Sequence, residues 1–152
     1  MKRQERMSKE EFEATKCFIK YNIEENEYRM HKIIYNSEII NVPKIYRYDK
    51  KNKILVMQKI KNMNIADLYG EDANNVPQEI FILMQNIIRK LYYAGIECPN
   101  ITGYNFIFYN NKLYLTNLKY CRIFTNDTMK KVDPFIIKFI NGTKCKWNPN
   151  YI

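Results

Sequence analysis

The spacing of apolar positions changes along the chain, and each change marks an element. Residues 15–21 crowd aromatic and β-branched side chains into a short run, the pattern of a strand. Ile23, Met30, Ile33 and Ile34 then recur at helical spacing, so residues 23–35 read as an amphipathic helix. Glu24, Glu25 and Glu27 lie near its start, where acidic groups complement the macrodipole. A loop follows at Asn41, Val42 and Pro43. Residues 44–48 and 53–60 are strand-like runs on either side of the polar turn 49–52, a predicted hairpin. Residues 64–70 read as one short helix stopped by Gly70.

The longest helix begins near Pro77, where the missing N–H costs little, and ends at Gly95. Ile80, Leu83, Met84, Ile87, Ile88 and Leu91 make its broad apolar face. Phe81 and Ile82 add apolar surface outside that face, so burial on more than one side is expected. Two brief strands, 105–109 and 112–116, are joined by Asn110 and Asn111, and residues 132–140 form a last amphipathic helix. Residues 1–14 are charged and read as a short helix or a loose arm. With no internal repeat and no low-complexity linker, residues 1–152 are expected to form a single α+β domain.

Composition narrows this picture. At 152 residues, 46% hydrophobic and 27% charged, the chain can bury one core and is not of disordered composition. No apolar run approaches the roughly 18 residues that cross a bilayer, and the charged start lacks the apolar stretch of a secretory signal. An intracellular, cytoplasmic location is the expectation. The formal charge of +9 favours acidic partners such as nucleic acid, anionic membrane or an acidic protein surface. Because the lysines are spread along the chain, a solvated basic surface is the plainer reading.

Cys17, Cys98, Cys121 and Cys145 form no C-x-x-C pair, and His31 has no ligand cluster near it, so no metal site is expected. The thiols are expected to be reduced. Asn, Ile, Lys and Tyr are abundant, with 13 Tyr against 4 Gly, a usage typical of AT-rich genomes, including those of several parasites and many large DNA viruses.

The order strand, helix, hairpin, short helix, long helix, polar loop, hairpin resembles the protein-kinase fold from its third strand to its metal-binding loop. Cys17-Phe18-Ile19-Lys20 is similar to the V-A-I-K strand, whose lysine holds nucleotide phosphates. Glu27 stands where the family keeps that lysine's glutamate partner. Residues 54–60 resemble the strand leading to the hinge between lobes. After the long helix, residues 95–105 resemble the H-R-D-x-x-x-x-N loop, with Asn100 at the catalytic aspartate and Asn105 at the metal-binding asparagine. Residues 113–119 resemble the strand entering D-F-G, with Asn117 at the aspartate. The resemblance covers roughly residues 15–122. It implies a minimal kinase-like fold: a small N-terminal sheet with one helix (residues 1–60), then a reduced helical part with a short β-hairpin (61–152).

It also implies lost chemistry. Asn100 offers an amide where a base is needed, and Asn117 a carbonyl where Mg²⁺ prefers a carboxylate. The first glycine is Gly70, so no glycine-rich loop precedes Lys20. Phe18 stands at the small alanine that packs on adenine and shares a strand face with Lys20, so its ring is expected to fill that space. Only about 35 residues follow Asn117, too few for the family's substrate-binding half.

The expectation is therefore a catalytically inactive pseudokinase without cofactor. Lys20, Glu27 and Asn105 would be vestigial nucleotide-site residues, and Lys20 and Glu27 an exposed pair worth about 0–1 kcal/mol. A protein partner comes first, with a scaffold role or a place in a virion. The alternative is a basic nucleic-acid-binding module, its tyrosines stacking on bases. In a third reading, a degenerate but active small-molecule or atypical kinase, Lys20, Asn105 and Asp127 would contribute.

Overall fold

A computed structural model describes residues 17–142 and 146–151. The expected arm at 1–14, the first two residues of the expected first strand, and Cys145 lie outside the described residues. Strand β1 (Cys17–Lys20) pairs antiparallel with β3 (Ile54–Gln58), and β3 with β2 (Ile45–Asp49), giving the sheet order β1-β3-β2. The central strand carries the unbroken apolar run, and its Leu55, Val56 and Met57 are all buried.

Helix α1 (Glu25–Ser37) packs on this sheet. It starts two residues later than the apolar spacing suggested. Ile23 N donates to Lys53 O at 2.9 Å, which ties that residue to the β2–β3 turn, and Glu24 is extended. Ile23 is nonetheless buried, and with Leu55 and Met57 it makes a small core under the sheet. Tyr28 stacks on Tyr48 with ring centroids 4.2 Å apart, and Tyr48 Oη donates to Ile23 O at 2.8 Å.

Helix α2 (Ile65–Tyr69) is capped by Asn64 Oδ1, which accepts from Asp67 N at 2.8 Å. Helix α3 (Gln78–Tyr93) is the centre of the larger core, with Ile80, Phe81, Met84, Ile87, Ile88 and Leu91 buried. Phe81 extends the buried surface as expected. Ile82 does not: it is 45% exposed. Gly95 follows the helix at φ 82, a left-handed conformation that a side chain would strain. Helix α4 (Pro134–Asn141) crosses nearby, capped by Asp133 Oδ1 on Phe135 N at 2.9 Å. Gln85 Nε2 donates to Phe139 O and Gly142 O, which satisfies carbonyls at the end of α4.

Two small ribbons complete the α+β architecture. Strands β5 (Phe106–Tyr109) and β6 (Lys112–Leu115) form a hairpin whose turn residues, Asn110 and Asn111, both have positive φ. This is the two-residue turn that asparagine accommodates. The hairpin is latched to the N-terminal half at three places. Leu115 N donates to Asn41 O at 3.0 Å, Asn62 Nδ2 donates to Phe108 O at 2.7 Å, and Asn64 bridges Ile107.

Strands β4 (Ile96–Glu97) and β7 (Arg122–Ile123) pair antiparallel, a contact the local pattern did not announce. Continuing their register brings Cys98 opposite Cys121, and the two are joined in a disulfide with Cα atoms 4.3 Å apart. The expectation of reduced thiols is overturned for this pair. The cysteines are 23 residues apart in sequence, and only strand pairing brings them together.

Gly103 sits where α2 comes closest. A Cβ there would lie 2.8 Å from Ala66 N and 3.1 Å from Ala66 Cα. Gly103→Ala is therefore expected to cost about 1–3 kcal/mol, the usual range for overpacking. Urea unfolding checks it, and an unchanged midpoint would show that the two segments separate easily.

Candidate functional site

The cleft between the N-terminal sheet and the β5–β6 hairpin gathers the residues singled out above. Lys20, at the end of β1, places Nζ 3.1 Å from Glu27 Oε2 on α1. The expectation of an exposed pair is corrected here. The Glu27 side chain is 7% exposed and that of Lys20 23%, because α1 turns this face onto the sheet. His31, one helical turn beyond Glu27, is also buried and donates from Nε2 to Pro43 O at 2.8 Å. Burial holds its pKa down to about 4 against the upward pull of that carbonyl, with the charge of Lys20 lowering it further.

Across the cleft, three asparagines bond to one another. Asn117 Nδ2 donates to Asn105 Oδ1 at 3.2 Å, Asn105 Nδ2 to Asn100 O at 2.7 Å, and Asn100 Nδ2 to Asn117 O at 3.1 Å. Asn105 Nδ2 also donates to Thr102 Oγ1 at 3.0 Å, and Asn117 Oδ1 accepts from Lys119 N at 3.1 Å. Elements position each of them. The 3₁₀ turn Gly103–Asn105 holds Asn105, the loop after β4 holds Asn100, and the end of β6 delivers Asn117. Asn100 Oδ1 is buried and accepts no hydrogen bond from the described residues.

Of these groups Lys20, Asn105 and Asn117 line a cavity of about 390 Å³, together with Phe18, Met57 and Lys59 among others. Phe18 and Lys20 face it from the same side of β1, as period-two alternation expected. Among the described residues its charged side chains are Lys20 and Lys59, and no carboxylate lines it. The arrangement can attract an anion, and its floor of paired amides offers no group of carboxylate basicity. Asp127 stands apart: it is exposed in the turn at Thr125–Thr128 and lines no part of this cleft.

A second cavity of about 500 Å³ opens on the other side of the asparagines and shares Tyr104, Asn105 and Asn117 with the first. Asn100, Thr102, Tyr120, Asn150 and Tyr151 complete its wall. Periodicity did not point to the tyrosines, since each falls outside the regular strands and helices.

Beneath the loop lies a polar support that sequence reasoning also missed. Glu97 is buried, pairs with Arg122 and accepts from Asp133 N at 2.7 Å. Asn148 is fully buried: its Nδ2 donates to Pro99 O at 2.8 Å and Asp133 Oδ2 at 2.9 Å, and its N to Ile101 O at 2.9 Å. Trp147, the one tryptophan, is buried beside it, and an aromatic among polar neighbours was the available hint.

No protein-family model matches the chain, and no curated protein sequence matches it. Among solved structures it is similar to the kinase PK-1 of Cydia pomonella granulovirus, with a TM-score of 0.50 and 15% identity. The match covers 70% of this chain and 42% of that kinase, so the chain spans well under half the length of the structure it matches. At that identity the likeness is one of fold.

Proposed function

We propose that this chain is a kinase-like module that binds rather than catalyses, its fold a reduced version of the one shared with the granulovirus kinase. One observation carries the reading. Asn100, Asn105 and Asn117 close into a ring of amide hydrogen bonds at the edge of a cleft that no carboxylate lines among the described residues. Phosphoryl transfer depends on metal ions held by anionic oxygens and on a group that takes the acceptor's proton. The amides supply neither: Asn105 Nδ2 donates twice, to Asn100 O and Thr102 Oγ1, and Asn100 and Asn117 each donate once within the ring. Lys20 and Glu27 then act as a strut between β1 and α1. The Phe18 ring, 47% exposed and facing the cavity, occupies part of the space a planar nucleotide base would need.

Incubation with ATP and Mg²⁺ or Mn²⁺ is expected to yield no phosphate transfer to the chain itself or to general protein acceptors. A thermal-shift titration run alongside is expected to show no Mg²⁺-dependent stabilisation. Ligand at a hundred times its dissociation constant would add about 2.7 kcal/mol, so genuine binding would be visible as several degrees. Transfer that vanishes in Lys20→Ala, or a Mg²⁺-dependent shift that vanishes with it, would overturn the reading.

Nucleic-acid binding is a second reading that a specific observation favours. A chain of net charge +9 carries an uncharged cavity walled by three tyrosines.

A further inference from the structure

We propose that the second cavity, between Asn100, Tyr104, Tyr120 and Tyr151, holds an unpaired base of a single-stranded nucleic acid. Its volume of about 500 Å³ is within the range of small-molecule sites. Among the described residues every side chain lining it is uncharged at neutral pH: four asparagines, one threonine and three tyrosines. A charged ligand group would find no counter-charge among these lining side chains, the nearby charges being Glu71, which accepts from Tyr104 Oη at 2.7 Å, and Lys119 over Tyr120. A purely apolar one would strip water from four amides without replacing its hydrogen bonds. A nucleobase meets both conditions, since it is neutral, flat, and edged with donors and acceptors that side-chain amides can pair.

The walls suit stacking. Tyr104 is 46% exposed and Tyr120 45%. Tyr120 is held by an edge-to-face contact with Tyr151, ring centroids 5.0 Å apart, so its orientation is fixed before any ligand arrives. Lys119 Nζ lies over one face of the Tyr120 ring, 5.4 Å from its centre, which leaves the other face and Tyr104 for a base and supplies a cation that a backbone phosphate can reach. At the floor, Asn100 Oδ1 is a buried acceptor without a donor among the described residues. Every nucleobase carries an N–H on the edge it uses for pairing. The charge of +9 draws a polyanion toward the surface, and the uncharged cup then selects for its bases.

The proposal rests on the nucleic-acid reading above and on this cavity, and holds whether or not the neighbouring cleft transfers phosphate. The test is fluorescence anisotropy of the full chain with a labelled single-stranded RNA of mixed sequence, at about 50 and 200 mM salt. Inorganic polyphosphate serves as competitor. Micromolar binding is expected, with Tyr120→Ala weakening it roughly tenfold and Tyr120→Phe leaving it within about twofold. Lys119→Ala is expected to lower the salt slope by about one. Tyr120 and Asn150 are exposed, so Tyr120→Ala and Asn150→Ala do not threaten the fold. Asn150→Ala serves as a second lesion in the cup, with the same direction expected. No binding, or binding that neither cup variant weakens, or binding that polyphosphate displaces as readily as RNA does, would overturn the proposal in favour of charge alone.

Discussion

Replacing Cys98 and Cys121 together by alanine is expected to lower the unfolding midpoint by about 10 °C. The disulfide closes a ring across 23 residues of sequence separation. The chain-entropy account of such a cross-link gives about 3 kcal/mol, and for a domain of this size each kcal/mol moves the midpoint by about 2–4 °C. The ring has a particular content. Asn100, Asn105 and Asn117 all lie inside it, with the Glu97–Arg122 pair and the β4–β7 ladder just outside its neck. Losing the bond therefore loosens the segment that carries the candidate site as well as the fold. Calorimetry with and without reductant checks the claim. Reductant should lower the wild-type midpoint to near that of the double variant and leave the variant unmoved. A wild-type midpoint indifferent to reductant would show that the ladder and its ion pair hold the segment unaided.

Between pH 7 and pH 4.5 the chain is expected to lose about 2–3 kcal/mol of stability through His31 alone. The imidazole is buried and neutral, and its pKa is lowered to about 4 in the folded chain, chiefly by burial. In the unfolded chain it returns to about 6.5. Over the interval between these values the unfolded state binds the extra proton, so stability rises with pH there. The contribution is complete above about pH 6.5 and is lost as pH falls toward about 4, below which both states are protonated. Urea unfolding of wild type and His31→Gln at the two pH values isolates the effect, because the carboxylates titrate in both proteins and cancel in the difference. The variant should lose about 2–3 kcal/mol less than wild type on acidification. Equal losses in the two proteins would mean that the folded chain accepts the charge on His31 without penalty.

Local patterns in the sequence were informative where one element could be judged by itself. The apolar face of α3, the left-handed Asn110 and Asn111 in their hairpin turn, and the run that became β3 each follow from neighbours within a few residues. Phe18 and Lys20 share a cavity because strands alternate, a rule that operates over two residues. What escaped was settled by segments far apart in sequence. Glu97 gave no local signal of burial, and its partner Arg122 lies 25 positions on. Asn148 carried no periodic signal and became a buried brace because the chain returns under the loop after α4. The disulfide belongs with these, since β4 and β7 are each two residues long and too short to read as strands.

At the site the same division holds. Asn100, Asn105 and Asn117 were singled out through the resemblance to the kinase catalytic and metal-binding loops. Their hydrogen bonds to one another, and the tyrosine cup behind them, needed three-dimensional placement.

The three latches between the β5–β6 hairpin and the N-terminal half bear on association kinetics. Asn41 and Asn64 through their backbones, and Asn62 through its side-chain amide, hold the two sides of the cleft at a set separation. A receptor fixed in one shape gives up little conformational entropy when its partner arrives, so less of the contact energy is offset by ordering. No slow rearrangement then precedes capture. Association rates should stay within the ordinary range of about 10⁵–10⁷ M⁻¹s⁻¹, and discrimination among partners would rest on how long each one stays.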